Sequence, residues 1–142
     1  MIILEKAVES VCLKYKKRLA LTKVPVEKLM EQIERNPDII ELKKLFAVKK
    51  SILSFQQTVE SITKVLKDLR KEYDTFHDMK LGIKAKDDFE DILEYLIADS
   101  EDIGEKVTNI LEGMDEVAQF VHSHQDNVRN DLISMTLIIE IL

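Results

Sequence analysis

Residues that interrupt helices are scarce in this chain of 142 residues, which has three glycines, two prolines and no tryptophan. So few helix breakers and aromatic residues are typical of long helices, and the composition predicts an all-α protein. Its one cysteine, Cys12, excludes an intrachain disulfide, and we interpret it as a small buried hydrophobe on a helix face.

The chain also lacks an excess of positive charge. Its formal net charge is -6, which argues against general nucleic-acid binding because such proteins need a basic surface to replace counterions. Lys and Arg outnumber Asp and Glu by 8 to 5 in residues 2–35 and by 8 to 4 in residues 39–73, whereas acidic residues lead by 12 to 2 in residues 86–120. We therefore expect the third segment to attract the first two.

Two breaks divide the helical pattern into three segments. The first is "RNPDI" at residues 35–39, where the residue before the proline disfavours helix and Asp38 can cap the next one. The second is "FHDMKLGIKAKDD" at residues 76–88, where Asp87 and Asp88 fit the start of a helix because negative charge complements the helix dipole there.

Apolar residues recur at steps of three and four in each segment, the spacing of a coiled-coil seam. Pro25 interrupts the first segment, where its ring must kink the helix or force a restart. The predicted core residues are Leu4, Val8, Val11, Tyr15, Leu19, Val26, Leu29 and Ile33; then Leu45, Val48, Ile52, Phe55, Val59, Ile62, Leu66, Leu69, Tyr73 and Phe76; then Phe89, Ile92, Leu96, Ile103, Val107, Ile110, Met114, Val117, Val121, Val128, Leu132, Met135, Ile139 and Leu142, with Ser100 filling one place. We predict three long antiparallel helices at about residues 3–34, 38–73 and 87–131, the third continuing toward a membrane span.

No enzyme site is evident, because the chain has no Gly-rich phosphate loop, no CxxC and no HExxH motif. His122 and His124 would point about 200° apart on a helix, so we interpret them as solvated rather than as a metal-binding pair. The acidic run at residues 87–105 is either a solvated helix face or a weak site for divalent cations, and it lacks the ligand order of an EF-hand.

The last eleven residues, 132–142, are largely apolar and contain one charged residue, Glu140. A membrane-spanning helix needs about 20 apolar residues, so this stretch is either the core of a soluble bundle or the start of a truncated transmembrane helix. Continuous apolarity after a long polar helix favours the second interpretation.

Just before this stretch, "DNVRN" at residues 126–130 resembles the Asp-x-x-Arg-Asn pattern of the CorA superfamily of magnesium channels, in its eukaryotic mitochondrial and plant branch. Upstream, "DILEYLIADSEDIGEKVTNILEGMDEVAQFVHSHQDNVRNDL" is similar to the stalk helix of that family, and "LEKAVESVC" at residues 4–12 is similar to the opening of its first long helix. The resemblance implies that residues 1–131 form a helical stalk and residues 132–142 begin the first transmembrane helix. The Gly-Met-Asn signature, the second span and the N-terminal α/β domain are not in the sequence, so we expect a fragment that does not conduct ions alone.

The resemblance also implies a function and its residues. In such channels five copies surround an axis, in the mitochondrial inner membrane or the plasma membrane, with this region on the matrix or cytosolic side. Asp126 and Asn130 would bind hydrated Mg²⁺, which would be both the transported and a regulatory ion, while Ile133 would form a hydrophobic gate and Arg129 would lie near the ion path. The alternative is a soluble coiled-coil scaffold protein without a transport role, in which residues 132–142 would pack against protein.

Overall fold

Three long helices make up the chain. The computed structural model describes residues 2–77 and 83–141, and their side chains over residues 6–75 and 89–141. The helices are α1 (Ile2–Arg35), α2 (Ile39–His77) and α3 (Ile83–Ile141). No strand occurs in the described residues, so the predicted all-α fold of three long helices is confirmed.

The turn between α1 and α2 lies where the sequence predicts it. The backbone N–H of Ile40 donates to the Asp38 carboxylate at 3.0 Å, and the Leu42 N–H donates to the Asp38 carbonyl at 3.0 Å. Asp38 therefore occupies the N-cap position of α2, as expected. At the other side of the turn, the Asn36 N–H donates to the Gln32 carbonyl at 3.0 Å and closes the last turn of α1.

The structure shifts one boundary and decides one open alternative. The third helix begins at Ile83 rather than near Asp87, so Asp87 and Asp88 lie in its second turn. Of the two alternatives at Pro25, a kink or a restart, the restart does not occur, because α1 continues through this proline without interruption. Packing stabilises the helix on both sides of Pro25, since Val26 and Leu19 are buried in the core while Pro25 itself faces solvent.

The helices run up, down and up, with α3 packed against both of the others. Lys16 and Met30 of α1 lie beside Asp99 and Gly113 of α3, so these two helices are parallel. Lys49 and Lys67 of α2 pair with Asp115 and Glu101, so α2 and α3 are antiparallel. The α1–α2 pair, here called the hairpin, therefore lies along one side of α3.

The predicted seam forms most of the core, which has two parts. The larger cluster extends from Leu19 to Val121, and the smaller one surrounds Cys12 and Leu66. In α1, Cys12 is 2% exposed and occupies the place predicted for Val11, which is 37% exposed. In α3, residues beside the predicted seam are also buried: Leu93, Ile97 and Leu111. Predicted core residues Leu4, Phe76 and Leu142 lie outside the described side chains.

Three successive residues of α3 make polar contacts between the two core clusters. The Thr63 hydroxyl donates to the Ser100 hydroxyl at 2.9 Å, and the Ser100 hydroxyl donates to the Ile97 carbonyl at 2.9 Å. On either side of Ser100, Asp99 pairs with Lys16 of α1, and Glu101 pairs with Lys67 of α2 at 2.6 Å. We call residues 99–101 and their partners the polar layer.

The ion pairs agree with the predicted attraction between the acidic third segment and the two basic ones. Each inter-helix pair joins a lysine of the hairpin to an acidic residue of α3: Lys16–Asp99, Lys49–Asp115 and Lys67–Glu101. Since all three are partly exposed to solvent, each contributes only about 0–1 kcal/mol to stability.

Candidate functional site

The third helix extends past the end of the hairpin. Ile33 of α1, Leu42 of α2 and Val121 of α3 belong to the last buried stretch of the core. Beyond Val121, every described side chain of α3 is exposed apart from Gln125, which is half-buried. We call residues 122–141 the α3 extension; at 1.5 Å per residue it is about 30 Å long.

All four residues that the resemblance singles out lie on the α3 extension. Asp126, Arg129, Asn130 and Ile133 are exposed to solvent. At 100° per residue, Asn130 and Ile133 lie within about 40° of Asp126 around the helix, so these three share one face. Arg129 lies about 60° from Asp126, at the edge of that face.

This shared face points away from the hairpin. The buried residues Met114, Val117 and Val121 mark the side of α3 that packs on α1 and α2. Continued along the helix, that side is about 120–180° away from Asp126, so Asp126 and Asn130 lie on the far side, and Ile133 lies between that side and a groove that the hairpin borders. All three side chains are exposed, so they are accessible to another molecule or another copy of the chain.

A groove runs along one flank of the α3 extension and begins at the turn of the hairpin. It has a volume of about 720 Å³ and is lined by Pro37 and by nine residues of α3, namely His124, Gln125, Val128, Arg129, Leu132, Ile133, Thr136, Leu137 and Glu140. We call it the Pro37 groove. It includes Arg129 and Ile133, whereas Asp126 and Asn130 lie outside it.

Neither His122 nor His124 belongs to a cluster of metal ligands among the described side chains. His122 and His124 are both exposed, as expected from their spacing, and the His124 ring stacks on Phe120 with 6.4 Å between ring centroids. Among the described residues, no group of three or more His, Cys, Asp or Glu side chains lies close enough to hold a metal ion. Any cation site that uses Asp126 would need ligands from a further molecule or from water.

The apolar side chains near the end of the extension have no protein partner within the described chain. Val128, Leu132, Met135 and Ile139 continue the predicted seam, but all four are exposed because the hairpin ends before them. In a single copy the hairpin therefore does not cover these seam positions. Within residues 2–77 and 83–141, no helix has an apolar stretch long enough to cross a bilayer.

Sequence reasoning did not find the Pro37 groove. The spacing along α3 identifies Val128 and Leu132 as apolar, but no local signal shows that Pro37 lies beside them. That proximity depends on where the hairpin ends relative to α3, which is a consequence of packing along the whole bundle. The turn and the apolar end are both visible in the sequence, but the sequence does not give the distance between them.

Comparison with protein families matches residues 1–140 to the family described as Magnesium transporter MRS2-like. No curated protein and no solved structure matches the chain. The match covers nearly all of the described helices, including the α3 extension, and the family is one of transporters rather than of enzymes. The chain belongs to the MRS2-like family of magnesium transporters.

Proposed function

We propose that this chain is the helical stalk of a CorA-type magnesium channel, in which α3 leads toward the ion pore. Residues 1–131 are the stalk, and residues 132–142 begin the first transmembrane helix. The proposal places the stalk on the matrix side of the mitochondrial inner membrane or on the cytosolic side of the plasma membrane. A chain of this kind conducts ions only as part of the whole channel.

The observation that carries this proposal is the exposed face of the α3 extension. Asp126, Asn130 and Ile133 share that face, and the hairpin packs on the other side of the helix. Copies arranged around an axis with their hairpins outward would bring these residues together as rings. The order along the helix is then acidic, amide and apolar toward the membrane end.

An acidic ring at Asp126 attracts cations through its field. Five carboxylates near one axis raise the local concentration of Mg²⁺, and the effect weakens as salt screens it. Mg²⁺ gives up its water reluctantly, so the Asn130 amide oxygen one turn further on would contact the ion through its hydration shell. Arg129, at the edge of the face, adds positive charge near the path and limits how strongly cations accumulate there.

A ring of Ile133 side chains would close the path when the channel is not conducting. Apolar constrictions resist wetting, and a hydrated divalent ion cannot pass without water. The next residue of the face, Leu137, continues this apolar lining, since it lies within about 20° of Asp126 around the helix. The exposed apolar residues on the other sides of the extension would contact lipid or neighbouring copies.

Regulation by Mg²⁺ involves exposed acidic residues of α3 further from the membrane. Glu112, Glu105 and Glu116 are exposed and lie about 40°, 60° and 80° around the helix from Asp126, beside its face. One copy offers no cluster of metal ligands in its described residues, so regulatory ions would bind between copies. Bound cations would reduce the repulsion between these acidic faces, and their loss would loosen the assembly.

The test uses the full-length channel reconstituted in vesicles, with Mg²⁺ uptake as the readout. Asp126→Ala should lower uptake at low Mg²⁺ concentration and lower it less at high concentration, because a carboxylate ring acts by local enrichment. Asp131→Ala is the matched control, since Asp131 is an exposed carboxylate about 140° away around the same helix. Ile133→Gly should leak, because it removes the apolar constriction.

The three variants separate the possible outcomes. If Asp131→Ala lowers uptake as much as Asp126→Ala does, the effect is general surface charge and the facing assignment is wrong. If Asp126→Ala and Ile133→Gly both conduct like the parent, neither residue lines the path. Circular dichroism of each variant checks that the helices are intact.

A further inference from the structure

The tip of the hairpin, residues 36–40, lies at the same end of the molecule as the apolar part of α3. Its level along α3 follows from two antiparallel contacts: Lys49 pairs with Asp115, and the Gln56 amide donates to the Thr108 hydroxyl at 3.1 Å. Counting ten residues back from Lys49 along α2, and ten forward from Asp115 along α3, brings Ile39 level with Gln125. The Pro37 groove agrees with this level, because Pro37 and Gln125 both line it.

Two isoleucines at this tip are exposed to solvent. Ile39 is 51% exposed and Ile40 is 63% exposed, although Leu42 and Leu45, the next apolar residues of α2, are buried. Both isoleucines lie in the first turn of α2, beyond the last layer that the hairpin shares with α3. Adjacent apolar side chains at the end of a hairpin form a small patch that is more stable out of water.

The charges around the patch largely cancel. Asp38 caps α2, and Glu41 pairs with Lys44 at 2.8 Å. Arg35, Lys43 and Glu34, the other charged residues at this end of the hairpin, are all exposed. The tip therefore offers an apolar contact without a net charge that would select an anionic or a cationic partner.

We propose that the hairpin tip rests on the phospholipid headgroup layer of the bilayer, with Ile39 and Ile40 inserted among the headgroups. This rests on the proposed function, in which α3 enters the hydrocarbon near Leu132. Ile39 is level with Gln125, which lies seven residues before Leu132, or about 10 Å from it along the helix axis. The headgroup layer is itself about 5–8 Å thick, so the isoleucine side chains reach into it.

The contact supports the hairpin at a second point beside α3. A helix that crosses the membrane surface alone can tilt, whereas a helix with a second contact at the same surface is restrained. Because the contact is apolar, it should form on a zwitterionic bilayer and should change little with salt. That distinguishes it from adsorption of a basic surface, which needs anionic lipid.

Tryptophan fluorescence can test the contact, since the chain has no tryptophan of its own. Three single-tryptophan variants of the 142-residue chain are mixed with phosphatidylcholine vesicles that carry bromine on the upper acyl chain: Ile39→Trp at the tip, Ile138→Trp on the α3 extension and Leu21→Trp as control. Leu21 is 77% exposed and lies about 21 Å from the end of α1, well away from the bilayer. The bromines should quench Trp at positions 39 and 138 strongly and Trp at position 21 very little.

Each pattern of quenching has a distinct meaning. Quenching at 138 without quenching at 39 overturns the contact and leaves the proposed function standing. Quenching at neither position overturns the contact for this chain, and the uptake experiment on the full-length channel decides the proposed function separately. A blue-shifted Trp at position 39 that depends on protein concentration and not on lipid would show that a second copy covers the tip, which also overturns the proposal.

A second measurement avoids the preference of tryptophan itself for membrane interfaces. The double variant Ile39→Ser with Ile40→Ser should bind the same vesicles on the order of tenfold more weakly than the parent. The matched control is Leu21→Ser with Val24→Ser, two exposed apolar residues of α1, which should bind like the parent. Equal binding by parent and tip variant would overturn the contact even if the tryptophan result favoured it.

Discussion

The two parts of α3 share one helix but differ in their surroundings. Residues 89–121 place a three-and-four stripe of apolar side chains against the hairpin, and these side chains are buried. Residues 122–141 continue the same stripe through Val128, Leu132 and Met135, and these side chains are exposed. The spacing of apolar residues therefore predicts which side of a helix is apolar, and a partner of sufficient length decides whether that side is buried.

The charges of the two parts differ in the same way. In the covered part, Asp99, Glu101 and Asp115 each meet a lysine of the hairpin. In the α3 extension, Asp126 and Asp131 form no ion pair among the described side chains. An uncompensated carboxylate on an exposed helix keeps its field available to mobile cations, which is what the proposed function requires.

The largest expected effect compares one residue type in the two parts of α3. Met114 is 1% exposed and Met135 is 59% exposed. Met114→Ala should lower the free energy of unfolding by about 2–5 kcal/mol because it leaves a cavity in the larger core cluster. Met135→Ala should change it by less than about 0.5 kcal/mol. Urea unfolding followed by circular dichroism measures both, and equal losses would mean that the extension is packed in solution.

A smaller effect is expected at the polar layer, where the covered part of α3 is not apolar. Ser100→Ala removes the hydroxyl that accepts from Thr63, and it should lower the free energy of unfolding by about 0.5–1.5 kcal/mol. Ser123→Ala, on the exposed extension, is the matched control and should be neutral. A stabilised Ser100→Ala variant would show that the apolar replacement packs better than the hydrogen bond it removes.

Each inter-helix ion pair should contribute less to the free energy of unfolding than the polar layer does. A double-mutant cycle on Lys67 and Glu101, with alanine at each position, should give a coupling of about 0.2–1 kcal/mol that decreases as NaCl is added. The pair Lys106–Asp102, which lies within α3 at 2.9 Å, is a control that does not join two helices. Stability that rises steadily with NaCl would instead mean that repulsion among the acidic residues of α3 outweighs the pairs.

The smallest effect is a loss of stability at alkaline pH. Burial, together with the charge of Asp99, raises the pKa of the Cys12 thiol above its ordinary value of 9.0. The folded chain therefore keeps a proton that the unfolded chain loses, and stability falls as pH rises above 9.0. The hydrogen bond to Asp99 raises the pKa of Lys16 above 10.5, so its contribution is present below that pH and is lost above it. Urea unfolding at pH 8 and pH 10 should show the decrease, and Cys12→Ala should reduce it.

Much of the fold was predictable from local chemistry. The turn at Pro37 and the cap at Asp38 follow from the residues themselves, because proline and a capping carboxylate act on their immediate neighbours. Local chemistry was not sufficient where tertiary packing decides the outcome. Pro25 fits inside α1 because the core holds the helix on both sides of it, and Leu93, Ile97 and Leu111 are buried because α3 contacts two helices and must bury a wider arc than one seam.

The candidate site was less accessible to sequence reasoning. The shared face of Asp126, Asn130 and Ile133 follows from their spacing once the region is known to be helical. The exposure of these residues does not follow from their spacing, because it depends on the hairpin ending near Val121. The level of Ile39 beside Gln125 likewise depends on the register of α2 against α3, which the pairs of Lys49 and Gln56 set over many residues.

The polar layer has a consequence for how the bundle comes apart. Ser100 and Thr63 separate the cluster around Cys12 from the larger cluster that begins at Leu19. Opening the end that holds Cys12 exposes only that small cluster, so it requires less free energy than global unfolding. The end of the bundle that holds Cys12 would then exchange its amide hydrogens, and expose its thiol to alkylation, many times for each opening of the end near the α3 extension. The rate of Cys12 alkylation therefore measures how often that end of the bundle opens locally.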